Sequence, residues 1–174
     1  MRRLLPTVFT VFALGCAGHK IDSTNGGDHF ELPRSVSLFV AVPADGSYGE
    51  KTYTGSGTAT AATLAAELRK RFASVHTASS FASAALSVQA ARSAGCAYVA
   101  FPTILNWEDR ATEWSGKLDR IEIQIDLLEV PTGKLAHSVV LQANSAWATF
   151  GGDHPQDLLQ KPLSDFADRL ACKQ

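Results

Sequence analysis

Two short runs, Val36 to Val42 and Cys96 to Phe101, are apolar at almost every position, with Ser37 the one polar interruption in the first. A strand with one wet face alternates polar and apolar residues; a strand covered on both faces does not. These runs therefore require a sheet with packing on both sides. The segments between them can supply it. Ala61, Leu64, Ala65, Leu68 and Phe72 recur at helical spacing, with Glu67, Arg69 and Lys70 on the other faces. A short strand is expected over Ser74 to Thr77. Ser79 or Ser80 is placed to cap a second helix with Phe81, Ala84, Ala85, Val88 and Ala91 inward, and Gly95 is its natural stop. Strand–helix–strand–helix–strand order calls for parallel strands joined by right-handed crossovers.

The second half changes character. Extended structure is expected to continue to about Asp109, followed by a polar stretch, Arg110 to Asp119, with Gly116 at a turn. Arg120 to Val130 then alternates: Ile121, Ile123, Ile125 and Leu127 on one face, Glu122, Gln124 and Asp126 on the other. That is a strand with one wet face. Pro131-Thr132-Gly133-Lys134 reads as a hairpin turn, and Leu135 to Trp147 as the return strand. Pro155 opens a helical turn. Pro162 restarts a helix to about Cys172 with Leu163, Phe166, Ala167 and Leu170 inward, its missing N–H harmless in a first turn. The expected fold class is α/β of the α+β kind. A single mixed sheet runs β-α-β-α-β, then an antiparallel β-meander and a C-terminal helix, with helices packed on the sheet and strand order 2-1-3-4-5.

A chain of 174 residues suits one domain. Its 45% hydrophobic content and net charge of −1 exclude a disordered chain, and no basic excess exists to bind nucleic acid. Three cysteines are too few for a disulfide-built scaffold. Five scattered histidines offer no metal-binding pair, so no metal or cofactor is expected.

The amino terminus reads as an address. Arg2 and Arg3 precede an apolar run, Leu4 to Leu14, about half the ~20 residues that span hydrocarbon. This is the h-region of a secretory signal. It ends in Ala13-Leu14-Gly15-Cys16, which resembles the bacterial lipobox, with Ala13 where leucine is usual. That resemblance implies cleavage before Cys16 and acylation of its thiol and its new amino group. An ordinary secretory signal with a chance cysteine is the alternative. The expected organisation is a lipoprotein signal peptide over 1–15, lipidated Cys16 with a flexible tether over 16–34, and a single periplasmic domain over 35–174. Ala17 stands where an inner-membrane retention Asp would, so the resemblance favours the outer membrane. Cleavage would leave 14 basic and 17 acidic residues, a charge of −3. The attachment would then come from lipid rather than from a polybasic surface.

If the two both-face strands are parallel and the meander returns, three loops meet at one end of the sheet: Pro43 to Gly57, Trp107 to Asp119, and Trp147 to Pro155. Ligands of open α/β sheets bind beyond the carboxyl ends of strands. These loops hold Trp107, Trp114 and Trp147, together with Asp45, Tyr48, Glu108, Asp109, Arg110, Glu113, Asp153 and His154. The acids are candidate acid–base groups or cation ligands, weighed against pairing with Arg110, Lys117 and Arg120 across a hairpin. Asp153 and His154 are an oriented base or a helix cap and first-turn residue. The tryptophans are stacking platforms or loop anchors, and anchoring is favoured. Ser56 in Gly55-Ser56-Gly57 lacks nucleophile-elbow spacing and is expected to cap the first helix. Gly151-Gly152 lacks the context of a phosphate cradle. Cys96 and Cys172 are a disulfide or, as favoured, two separate thiols.

The stretch Trp107-Glu108-Asp109-Arg110-Ala111-Thr112-Glu113-Trp114-Ser115-Gly116, the stretch Trp147 to Leu159, and Pro43-Ala44-Asp45-Gly46-Ser47-Tyr48-Gly49 together resemble a family of Gram-negative lipoproteins classed as domain of unknown function 4823. The resemblance covers about Val36 to Leu170. It implies an envelope location and a fold, with no catalytic residues. The element order is also similar to small envelope domains such as the amino-terminal domain of the Tol translocation protein, a likeness of fold that carries no function. The expected function is a non-enzymatic accessory or binding module, anchored in the inner leaflet of the outer membrane. It would serve an envelope protein or cell-wall component through the three-loop end. The competing expectation is a carboxylate-dependent hydrolase of wall or glycan material, which needs two acids roughly 5–9 Å apart.

Overall fold

The computed structural model describes residues 18–25, 30–109, 118–145 and 154–172. Its main sheet has six strands in the order β1-β8-β7-β6-β2-β5. These are β1 His19–Asn25, β2 Ser37–Val42, β5 Ser74–Phe81, β6 Tyr98–Glu108, β7 Arg120–Glu129 and β8 Leu135–Asn144. A small hairpin, β3 Ser47–Tyr48 and β4 Lys51–Thr52, stands apart. The helices are α1 Ser56–Arg69, α2 Ala84–Ser93 and α3 Gln160–Leu170, with a short 3-10 turn at Pro155–Leu158. β2 lies parallel to β5 and β6, while β6–β7 and β7–β8 are antiparallel. The expected 2-1-3-4-5 order is the observed β5-β2-β6-β7-β8.

The both-face reading of β2 and β6 has a direct counterpart in two cores. Leu38, Val40, Val42 and Ala100 point to the face covered by α1 and α3, among Leu64, Leu68, Leu163 and Phe166. Phe39, Ala41 and Val99 point to the other face, with Val88, Ala91, Cys96 and Val130 around α2. Alternation in β7 works as read: Ile121, Ile123, Ile125 and Leu127 are buried in the first core. Pro162 falls in the first turn of α3, where no intrahelical partner awaits its nitrogen.

Four expectations change. Residues 19–25, read as tether, form β1, antiparallel to β8 from His19↔Ala143 onward. One inward apolar residue, Ile21, and backbone pairing carry this edge strand, too little for an alternation signal. His19 Nε2 meets Asp165 Oδ2 of α3 at 2.5 Å. The strand expected over Ser74–Thr77 runs on to Phe81, which is exposed rather than inward in a helix, and Ala85 is exposed too. The cap of α2 is consequently Ser83, whose Oγ accepts from the Leu86 N–H at 3.4 Å. Finally, Glu67 is buried, between Lys70 and Arg71, because α3 packs over that side of α1. Cys96 and Cys172 are separate thiols; burial pushes the Cys96 thiol above its ordinary pKa. Among the described residues, no helix is long and apolar enough to cross a membrane.

Candidate functional site

The chain leaving β2 turns through buried Pro43 into the segment 44–55, and its path is set by a reciprocal clasp with the start of α1. Asp45 Oδ1 accepts the N–H of Gly57 at 2.8 Å, and Ser56 Oγ accepts the N–H of Gly46 at 2.8 Å. The cap of α1 is thus the remote Asp45 carboxylate, which sits where the positive end of the helix dipole favours an anion. Ser56, expected to cap, instead holds the loop. Tyr53 N–H closes the segment onto the Gly46 carbonyl at 2.9 Å.

Two glycines make this close approach possible. A Cβ on Gly57 would lie 2.3 Å from the Pro43 carbonyl oxygen, and one on Gly46 would lie 2.7 Å from Trp107 Cβ. Gly57→Ala is expected to destabilise the domain by about 1–3 kcal/mol or more, since the obstacle is backbone and cannot rotate away. Exposed Thr58→Ala should stay within about 0.5 kcal/mol. Urea unfolding of the two variants measures both.

Trp107 comes from the end of β6 and is only 2% exposed, packed in the main core. The bulge between Ile104 and Asn106 sits just before it. Beside it opens a pocket of about 570 Å³ lined by Lys51, Tyr53, Thr54, Ser56, Asp109 and Gln156 among others. All three expected loop regions contribute: 51–56 after β2, Trp107 and Asp109 at the end of β6, and Pro155 with Gln156 after β8. Lys51 Nζ is 3.6 Å from Asp109 Oδ2 and 4.4 Å above the Tyr53 ring. So exposed an ion pair contributes little to stability, but among the described residues it leaves the pocket lining with balanced charge. Thr52, Tyr53, Thr54 and Ser56 add hydroxyls and Gln156 an amide, able both to donate and to accept, beside apolar Ala59, Trp107 and Pro155.

The remaining candidates separate. Tyr48 lies in the hairpin opposite Lys51 and is partly exposed. Glu108 Oε1 accepts from Asn106 Nδ2 at 2.7 Å, and Asp109 pairs with Lys51, while Arg110 and Lys117, two of the expected partners, lie outside the described residues. Arg120 meets Glu122 at 3.2 Å. His154 N–H donates to Asp157 Oδ2 at 2.9 Å, so its backbone and Asp157 stabilise the 3-10 turn. Arg110, Glu113, Trp114, Trp147 and Asp153 lie outside the described residues, as does Cys16. Lys51, Tyr53 and Gln156 were not singled out in the sequence. They carry no motif, and only the hairpin and the 3-10 turn bring them together. No group of metal-ligating side chains occurs among the described residues.

Comparison with known proteins identifies the family and the fold. No curated protein matches the sequence. Among solved structures, a PelC dodecamer from Paraburkholderia phytofirmans is similar at 18% identity, with a TM-score of 0.69, over 90% of this chain and 100% of that one. Lipoprotein GNA1162 from Neisseria meningitidis is similar at 14% identity and a TM-score of 0.50, over 77% of this chain and 96% of that one. The hypothetical protein CT253 from Chlamydia trachomatis is similar at 11% identity and a TM-score of 0.54, over 78% and 95%. The family described as domain of unknown function 4823 matches residues 30–170, and the chain belongs to it.

Proposed function

We propose that this member of the 4823 family is a lipoprotein of the cell envelope, held by acyl chains on Cys16 in the inner leaflet of the outer membrane and facing the periplasm. Its work is non-enzymatic: an accessory module whose loop end is a contact surface for an envelope component. The observation that carries this reading is the assembly of three separate loops around one open pocket at a single sheet end, beside a sequence that ends its apolar run in Leu14-Gly15-Cys16. A lipoprotein among the similar folds is consistent with it. The hydrolase reading has less support. Among the described residues, Asp109 is the one carboxylate on the pocket, and Lys51 stands beside it.

Cys16→Ala is the decisive substitution. Each buried methylene contributes about 0.8 kcal/mol, and a single chain holds only marginally where several hold essentially permanently. In detergent phase separation the parent protein is expected in the detergent phase and the Cys16→Ala protein in the aqueous phase. Aqueous partition of both would remove the anchor from this reading. Crosslinking through photoreactive groups at Lys51 and Gln156 then tests the contact surface. Labelling of neither protein nor wall nor lipid would end it.

A further inference from the structure

We propose that the loop end of the sheet is the face this domain lays on the lipid bilayer, and that the bilayer itself is the envelope component contacted there. The inference rests on the anchor at Cys16 proposed above and names the partner of that same surface.

The first observation is where the chain enters the sheet. The N–H of Asn144, at the end of β8, donates to the carbonyl of Gly18 at 3.0 Å, and His19 pairs with Ala143. β8 runs in the same direction as β6 and β2, since each is separated from the next by an antiparallel strand or paired in parallel. Gly18 therefore sits at the end of the sheet where the loops after β2 and β6 emerge. Cys16 precedes Gly18 by two residues, a reach of at most about 7 Å. The expected tether of eighteen residues would have let the domain tumble about 20–25 Å from its anchor. With β1 paired into the sheet, an anchor at Cys16 holds one particular end against the membrane. The opposite end, with the turn at 131–134, is a ten-residue strand away, about 33 Å.

The second observation is independent of the first. Six large apolar side chains are markedly exposed among the described residues, and five share that same end. Tyr48 (40%) lies in the hairpin after β2, and Phe81 (59%) is the last residue of β5, opposite Val42 at the end of β2. Leu86 (58%) is in the first turn of α2, which follows β5. Leu105 (48%) is near the end of β6, and Leu118 (39%) stands two residues before β7 begins. Leu135, the sixth, starts β8 at the far end. Single exposed apolar residues are ordinary. Their segregation to the end that would carry acyl chains is what calls for an occupant. Side chains of this kind enter the headgroup and upper acyl region by about 5–10 Å, and a tyrosine sits well at that boundary. Among the described residues no basic cluster accompanies them, and Lys51 there stands beside Asp109, so the contact we infer is apolar rather than an attraction to anionic lipid.

The test is hydroxyl-radical footprinting of the full lipidated protein in vesicles of phosphatidylethanolamine and phosphatidylglycerol, against the soluble Cys16→Ala protein. Oxidation of Phe81, Leu86, Leu105 and Leu118 is expected to slow about threefold or more in vesicles, as immersion in the interface requires, while Leu135 is unchanged. Sedimentation with vesicles but no protection at these positions would overturn the inference and leave the anchor standing. Failure to sediment would overturn both. Protection that grows with concentration in the soluble protein would assign the cover to a second copy. Protection found in isolated outer membranes but not in protein-free vesicles would assign it to another envelope protein. Either result overturns the inference.

Discussion

Replacing Trp107 with alanine is expected to lower the unfolding free energy by about 3–5 kcal/mol, the usual range for emptying a buried aromatic site. The side chain is 2% exposed, sits in the main core, and has its Cβ against Gly46 of the neighbouring loop. The cavity cannot collapse readily, because the Asp45–Gly57 and Ser56–Gly46 hydrogen bonds hold the loop beside it in place. Trp107→Phe refills most of the volume and should cost markedly less. Urea unfolding followed by far-ultraviolet circular dichroism measures both. A loss below about 1 kcal/mol for Trp107→Ala would mean that the indole is free to serve as a ligand platform and is not the anchor of the loops.

Arg71→Ala should have the next largest effect, about 3 kcal/mol. Its side chain is 12% exposed and ties the end of α1 to α3. Nη1 donates to Glu67 Oε2 at 2.8 Å, while Nε and Nη2 donate to the two oxygens of Asp168, each at 2.8 Å. Nη2 also reaches Ser164 Oγ at 2.8 Å. Removing the guanidinium leaves Glu67, 3% exposed, with Lys70 and the Ser164 hydroxyl. Those remaining partners place the loss at the low end of the ~3–5 kcal/mol typical of a broken buried pair. Arg71→Lys should not rescue it, because an ammonium cannot reproduce the two-pronged contact with Asp168.

The same network predicts a pH dependence. Burial alone would push the Glu67 carboxyl up, but hydrogen bonds from Lys70 and Arg71 outweigh it and hold it below the ordinary 4.5. Hydrogen bonds from Arg71 hold Asp168 below 3.8, against a smaller opposing effect of burial. Carboxyls lowered in the folded state contribute stability above their unfolded values and lose it as pH falls through the folded ones. The gap between parent and Arg71→Ala should therefore be flat from about pH 7 to 5 and close below about pH 4. A gap that did not narrow at all as the pH was lowered below about 4 would place the interaction in packing rather than charge.

Much of the fold was legible because burial writes itself into periodicity. The apolar runs at 36–42 and 96–101 dictated a sheet packed on both faces, and the alternation at 121–127 dictated a half-covered one. The order of the central five strands followed from chain connectivity and the handedness of crossovers. Its consequence, three loops at one end, followed too. The residues that line the pocket were less legible. Lys51 and Gln156 belong to no pattern, and they meet only because a hairpin of two-residue strands folds back over the start of α1.

What the sequence by itself determined is what repeats locally: which segments are strand or helix, which face of each is apolar, and the family written in the loops. What only the tertiary structure decided is where isolated polar residues find their partners. Asp45 caps a helix eleven residues away, Glu67 is buried under α3, and residues 19–25 extend the sheet as an edge strand beside β8. Each of these depends on distant chain: a remote hydrogen bond, the packing of α3 over α1, and an edge pairing with β8. Such contacts leave no period to read, since their free energy comes from the partner that folding brings rather than from the neighbours in sequence.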